Sequence, residues 1–422
     1  MTVSNERSRS RSGGRRGKPQ RVAVIGGGIV GLAHAWAAAK RGHQVLLFER
    51  HDHAQSASIR NFGMVWPIGQ PNGPDHRTAL RSRALWQELL DETGLWHDPC
   101  GSLHLAYKAD ELDVLEEFAR IAPPLGYDCR LLSAEEVASR SPVARREGLR
   151  GGLWSSTEMC VDPREIIARM PKWLEEKHRI KLHFGKAIEH VSLPWVIASD
   201  GERWQVDRAI VATGADFQTL FPQVFHKAAF RKCKLQMLRT VPQPDGWRIG
   251  PMIASGLTLR HYASFRICHS LAALKNRIAA TMPELDQYGI HVMASQNGNG
   301  EVVLGDSHEY DEEVSPFDKA VIDELILEQL RIRIDLPDWT IAQRWHGIYA
   351  QLPGTIQFVQ EVEPDVHIVI ASGGCGMTMS FGLAEELWES WGEFAASPVH
   401  RQGANATGSL QSIGSSNGRD VV

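Results

Sequence analysis

The sequence predicts an α/β fold in which a parallel, nucleotide-binding sheet is begun at the N-terminus, interrupted by an antiparallel insertion and resumed near the C-terminus. Three observations carry this expectation. Residues 22–25 read as a buried strand that runs directly into Gly26-x-Gly28-x-x-Gly31 and a small-residue helix reaching Lys40. Residues 208–215 repeat a buried strand, ending in Ala212-Thr213-Gly214, and residues 366–371 form a third, followed by the glycine loop 372–378. A nicotinamide dehydrogenase usually completes its strand-helix units in one run, so a glycine-rich joint some 345 residues after the first implies an interrupted domain.

Each glycine of the first turn has its own physical reason. Gly26 permits the tight turn, Gly28 lets the backbone approach a pyrophosphate, and Gly31 lets helix and strand pack closely. Ile29 and Val30 fall at the helix start, where backbone amides face phosphates. A second strand, 44–48, leads to Glu49 and Arg50; Glu49 stands eighteen residues after Gly31, where a carboxylate can accept from an adenosine ribose. The strand before, the helix after and the acidic residue at this distance favour dinucleotide binding over an ordinary turn. NAD and FAD both satisfy this stretch alone.

A chain of 422 residues with 43% hydrophobic composition is large enough for two sizeable cores, at roughly 100–200 residues per domain. The 46 basic and 50 acidic residues nearly balance, which gives no reason to expect a nucleic-acid partner. Cys100, Cys129, Cys160, Cys233, Cys268 and Cys375 are scattered, without a Cys-x-x-Cys pair, so neither a metal site nor a disulfide framework is expected. No apolar run reaches the roughly 18 residues of a membrane span. Arg15-Arg16 before the apolar stretch 22–39 imitates an export signal, but removing that stretch would destroy the glycine turn. The expectation is a cytoplasmic protein, of open oligomeric state, with a disordered basic leader over 1–20 and a second disordered tail over 402–422.

The remaining elements follow in order. Residues 51–58 and 59–70 form an irregular stretch whose apolar content requires burial, either as a packed crossover or as a loop lining the cofactor. Apolar spacing predicts a helix over 75–91 ending near Gly94, a strand over 101–107, and helices over 110–121 and 134–140. Asp162-Pro163 reads as a cap and first turn of a helix reaching Leu174. Short strands 181–184, 187–191, 195–198 and 203–205 follow, with Asp200-Gly201 as a hairpin turn. Residues 230–339 alternate strands around helices at 271–280 and 318–334, with a hairpin on an Asn-Gly turn between 289 and 306. Arg260-His261-Tyr262 is expected on a strand, and His308 with Tyr310 at a strand end. A helix over 381–391 closes the ordered chain.

The first glycine turn, the Ala-Thr-Gly strand end and the C-terminal glycine loop together resemble the FAD-dependent oxidoreductases of the D-amino acid oxidase, glycine oxidase and sarcosine oxidase superfamily. The resemblance covers residues 21–395. The stretches Ser58 to Gln70, Leu259 to Tyr262, Gly289 to His291, Gly305 to Tyr310 and Gly376 to Thr378 resemble a subgroup associated with aminophosphonate catabolism. It implies a Rossmann-like FAD-binding domain over 21–100, 150–229 and 340–398, with an inserted antiparallel β-sheet substrate domain over 101–149 and 230–339.

By the same resemblance FAD is extended, held by Gly26, Gly28, Ile29, Val30, Gly31, Glu49, Arg50, Thr213 and Gly214. Ser58, Arg60 and Asn61 lie beside the flavin ring, and Gly374, Cys375, Gly376, Met377 and Thr378 lie near its pyrimidine edge. Residues 345–349 match a strand facing the ring. The implied reaction is hydride transfer from an amine-bearing carbon to flavin N5, giving an imine that water hydrolyses. Arg60, Asn61, Arg260, Tyr262 and His308 are the candidate substrate-side groups, a bidentate arginine suiting a carboxylate or phosphonate. Thr378 stands where sarcosine oxidases carry a pocket lysine, which weakens a simple sarcosine or amino-acid substrate. Cys375 does not match the usual flavin-linking cysteine. A 2-hydroxy acid or polyol dehydrogenase and a catalytically silent flavoprotein subunit are the competing readings.

Overall fold

The computed structural model describes residues 18–393; both expected tails, with Arg15 and Arg16, lie wholly or almost wholly outside them. Arg21–Ile25 and Gln44–Glu49 pair in parallel, and Arg208–Val211 pairs in parallel on the other side of Arg21–Ile25. Val366–Ala371 then pairs in parallel with Arg208–Val211, so the C-terminal strand re-enters the sheet that the N-terminal strand began. The six-stranded sheet is completed by Lys181–Phe184 at one edge and antiparallel Gln357–Glu363 at the other. Successive residues of the first strand feed opposite cores: Val22 and Val24 join one cluster, Ala23 and Ile25 the other. Burial on both faces explains why these strands read as unbroken apolar runs.

Helices Ile29–Lys40, Pro74–Thr93 and Gly376–Ser390 cover one face. Phe381 lies edge-on to Trp36 and Trp86, with ring centroids 5.6 and 4.7 Å away. A Cβ at Gly382 would sit 2.3 Å from the Thr78 carbonyl oxygen, so the close helix approach there requires glycine. The last helix starts at Gly376, not at 381 as expected, because its apolar stripe already begins at Met377 and continues through Phe381, Ala384 and Trp388. Gly376, Met377 and Thr378 therefore form its first turn.

A nine-stranded sheet builds the other half. Its long strand Arg231–Pro242 pairs antiparallel with Ile341–Gln351 and Glu301–Gly305. Gly151–Ser155 pairs with Ser102–Ala106 in the same sheet, so the strands at 151–155 and 341–351 belong to the inserted sheet, although the sequence boundaries at 150 and 340 allot them to the FAD-binding domain. One pairing, Met252–Ser255 with Ser102–Ala106, is parallel. The Asn-Gly hairpin forms as expected between Met293–Gln296 and Glu301–Gly305, with Asn297 Oδ1 accepting from the Asn299 and Glu301 amides, each at 3.1 Å.

Arg260, His261 and Tyr262 are not on a strand. Arg260 ends the 3-10 turn Gly256–Arg260, which Thr258 helps close by donating from Oγ1 to the Ser255 carbonyl at 2.7 Å, and His261 and Tyr262 link it to a second 3-10 turn, Ala263–Ile267. Buried Leu257 and Leu259 alternate as in a strand, which is why the pattern misleads. Among the described residues no helix is long and apolar enough to cross a membrane.

Candidate active site

One cavity of about 1540 Å³ runs from the first glycine turn to the inserted sheet. Single small-molecule sites occupy roughly 300–1,000 Å³, so this space suits a dinucleotide and a second, smaller ligand together.

Its nucleotide end is shaped by backbone. Gly26 has φ +116°, and a Cβ there would lie 2.3 Å from the Ala212 oxygen; a Cβ at Gly31 would lie 1.9 Å from the Gly26 oxygen. No larger residue fits either position. The helix Ile29–Lys40 begins at the cavity, bringing Gly28, Ile29 and Val30 to its wall. Glu49 Oε2 accepts the Gly27 amide at 2.8 Å, which holds the carboxylate beside the turn. Arg50 is also at the wall, ion-paired with Asp216, while Thr213 and Gly214 border the cavity just past the end of strand Arg208–Val211. These features fit the adenosine and pyrophosphate half of FAD.

Ser58, Arg60 and Asn61 come next. Ser58 Oγ accepts the Ile29 amide at 3.0 Å, tying the loop to the helix start. Asn61 is used by its own loop: its Nδ2 donates to the Ala57 and Ser58 carbonyls at 3.0 and 3.1 Å, and its Oδ1 accepts the Gly63 amide at 2.8 Å. Arg60 Nη1 donates to the His346 carbonyl at 3.2 Å, fastening the loop to strand Ile341–Gln351. All three residues line the cavity.

The C-terminal loop closes from the opposite side. Gly373 and Gly374 take φ +72° and +76°, and a Cβ at Gly374 would stand 3.2 Å from the Tyr349 ring. Thr378 Oγ1 accepts the Trp66 amide at 2.9 Å, and the Met377 carbonyl accepts from Trp86 Nε1 at 2.7 Å. Burial pushes the Cys375 thiol up to about 12, so it is protonated at neutral pH. The second helix start thus borders the same cavity as the first.

The substrate-side wall comes from the inserted sheet. Arg260, Tyr262 and His308 all reach the cavity. Arg260 pairs with Asp286 and donates from Nη2 to the Ile290 carbonyl at 2.8 Å, so its guanidinium is largely engaged. Tyr262 packs at 6.1 Å from Trp66 and contacts Met293 Sδ at 3.3 Å. His308 Nδ1 lies 3.3 Å from the Gly289 carbonyl. Two histidines not assigned from the sequence join it: His261, His291 and His308 bring ring nitrogens within 4.8 Å of one another, although no histidine spacing in the sequence suggested a cluster. Burial holds all three below the ordinary histidine value, His308 at about 4. Asp306 stands beside them, its carboxyl raised well above the usual range by burial.

Glu158 also escaped the sequence reading. It is fully buried and accepts from the Ile68 amide at 3.0 Å, Ser102 Oγ at 3.0 Å and Thr157 Oγ1 at 2.7 Å, which supports the cavity-lining loop from behind. Nothing local marks such a residue, since its partners come from separate elements.

The protein family described as FAD dependent oxidoreductase matches residues 21–389. A glycine oxidase of Geobacillus kaustophilus is 30% identical over 157 residues, 35% of this chain and 42% of that protein. The tRNA 5-methylaminomethyl-2-thiouridine biosynthesis bifunctional protein MnmC of Nitrosospira multiformis is 28% identical over 211 residues, 47% of this chain and 33% of that protein. The chain thus spans less than half the length of these curated relatives. Among solved structures, L-proline dehydrogenase from P. horikoshii superposes with TM-score 0.69 at 21% identity, covering 89% of this chain and 94% of that one. Iminodiacetate oxidase from Chelativorans sp. BNC1 superposes with TM-score 0.65 at 19% identity, covering 90% and 98%. At such identities the superpositions establish the fold.

Proposed function

The chain belongs to the FAD-dependent oxidoreductase family, and from that premise we propose that it oxidises a small anionic amine, of amino-acid or aminophosphonate type. The observation that carries this reading is the single cavity, which joins a glycine cradle at two helix starts to a wall bearing Arg260, Tyr262 and the three histidines. Relatives named for glycine and for a methylaminomethyl group support an amine over a hydroxy acid.

Bound FAD supplies a hydride acceptor at flavin N5, and the oxidised substrate is an imine that water hydrolyses. Gly26 to Gly31 and Glu49 would hold the adenosine and pyrophosphate half, and Ser58 would stand beside the flavin ring. Backbone amides at the start of Gly376–Ser390 suit the negative charge gained on reduction, being donors at a helix N-terminus. Arg60 and Asn61 order the loop between these two parts through the hydrogen bonds described above. Tyr262 and Tyr349 line the cavity beside these residues. No side-chain base is required for an amine that arrives unprotonated. Six free cysteines among the described residues support a cytoplasmic location.

Product analysis tests the reading. Turnover of a primary or secondary amine carrying an acid group should release ammonia or a shorter amine together with a carbonyl compound. Turnover of 2-hydroxy acids without any amine substrate would establish the dehydrogenase alternative, and failure with every class would favour a silent subunit.

A further inference from the structure

The three histidines form a compact group in which one ring, His291, is wholly unpartnered. His291 is 3% exposed, and neither of its ring nitrogens has a hydrogen-bond partner. Its Nε2 lies 3.4 Å from Asp306 Oδ1, without the alignment of a hydrogen bond. A buried polar group in this condition calls for a ligand.

Ring geometry says which kind. His291 and His308 stack with centroids 4.7 Å apart and planes at 17°, and His261 lies 3.9 Å from His291 at 33°. Ring nitrogens donate and coordinate within the ring plane, so the stacked rings of His291 and His308 direct their nitrogens side by side, with His261 tilted 33° from the first and 40° from the second. Three imidazoles on one metal ion must instead converge to about 2.0–2.1 Å each. Side-by-side donors suit a group presenting several oxygens.

We propose that His261, His291 and His308 together bind the tetrahedral, doubly ionisable acid group of the substrate, and that the group's arrival draws one proton from solvent onto the cluster. This assignment rests on the amine-oxidation reading. Before binding, the wall carries little charge: burial disfavours the charged forms of the three histidines and of Asp306, and Arg260 is matched by Asp286. Arg266 faces His261 from the neighbouring turn and opposes its protonation, as Arg260 does. Tyr310, with the Arg231 guanidinium 4.5 Å over its ring, and Tyr349 flank His308 at 6.0 and 6.3 Å, and burial raises both phenols so that neither contributes negative charge. A dianion entering this space supplies the negative charge that an imidazolium would need beside it, and so offsets the penalty that burial places on protonation. A carboxylate brings one charge and two oxygens, leaving a donor unused.

The test uses purified holoenzyme with methylphosphonate and acetate, neither of which carries an oxidisable amine. Calorimetry at a pH above the second ionisation of methylphosphonate, where the free ligand is already a dianion, in two buffers of different ionisation heat counts protons, and flavin absorbance reports occupancy. Methylphosphonate should bind with uptake of about one proton and at least about tenfold more tightly than acetate, and His291→Asn and His308→Asn should each weaken it about tenfold or more with FAD content unchanged. Equal affinity for the two anions, absence of proton uptake by the unsubstituted enzyme, or unchanged affinity in both variants overturns the assignment. So does a stoichiometric transition metal whose chelation abolishes binding. Flavin reduction by an amine alongside unaltered variants sinks this subsite alone; proton-linked binding without reduction by any amine sinks the redox reading alone.

Discussion

The Trp66 amide donates to Thr378 Oγ1 at 2.9 Å, joining the loop after Ser58 to the first turn of the C-terminal helix. Two segments separated by 312 positions are thereby fixed on either side of one cavity. Thr378, which stands where the resemblance would place the pocket lysine of sarcosine oxidases, is buried, and its oxygen is engaged by the backbone. Thr378→Val should leave the Trp66 amide buried without an acceptor and cost about 1–3 kcal/mol, measured by denaturant unfolding. Thr378→Ser should restore most of it; equal losses in both would assign the effect to packing.

Glu49 offers a second check. Its Oε2 accepts the Gly27 amide at 2.8 Å and its Oε1 the His51 amide at 3.2 Å, so the carboxylate organises the turn it faces. Glu49→Ala should lower FAD affinity by about tenfold or more, in keeping with hydrogen bonds to a charged group of about 1.5–3 kcal/mol. Equilibrium dialysis against FAD measures this, with far-ultraviolet circular dichroism unchanged.

Cys375 should not hold the flavin covalently. Its thiol is raised to about 12 by burial, leaving little thiolate to react. Acid precipitation should release all FAD into the supernatant, and Cys375→Ser should retain the same FAD content. Flavin remaining with the precipitate would contradict this.

Acid stability has a definite sign. Burial lowers His34 and His104 from 6.5 to about 3 each, and no nitrogen of either ring has a hydrogen-bond partner. Below pH 6.5 the unfolded chain takes up protons that the folded chain refuses until about pH 3. Their contribution is therefore complete above 6.5 and is lost progressively as pH falls, with a slope of about 1.4 kcal/mol per pH unit for each histidine. Unfolding free energies measured across this range should show it, and His34→Leu should flatten the slope.

How much of this was legible from sequence depends on how local the cause is. The turn at Gly26 to Gly31 needs only consecutive residues, and so does the Asn297 hairpin; both were readable. The return of Arg208–Val211 and Val366–Ala371 to the first sheet was readable because double-sided burial writes itself as an apolar run. Arg260 to Tyr262 misled, since Leu257 and Leu259 alternate while Thr258 closes a 3-10 turn. The start of the last helix is hidden because Gly373, Gly374 and Gly376 read as loop up to the apolar stripe that begins at Met377. Glu158 and the meeting of His261, His291 and His308 arise only when separate elements pack, and no spacing encodes them.

The most direct measurement of the central claim is anaerobic mixing of the purified yellow protein with candidate substrates while the absorption of oxidised flavin is followed. The account predicts bleaching by an amine that carries a carboxylate or phosphonate and none by the matching hydroxy acid. Bleaching by hydroxy acids alone, or a colourless protein that binds NAD, would contradict it.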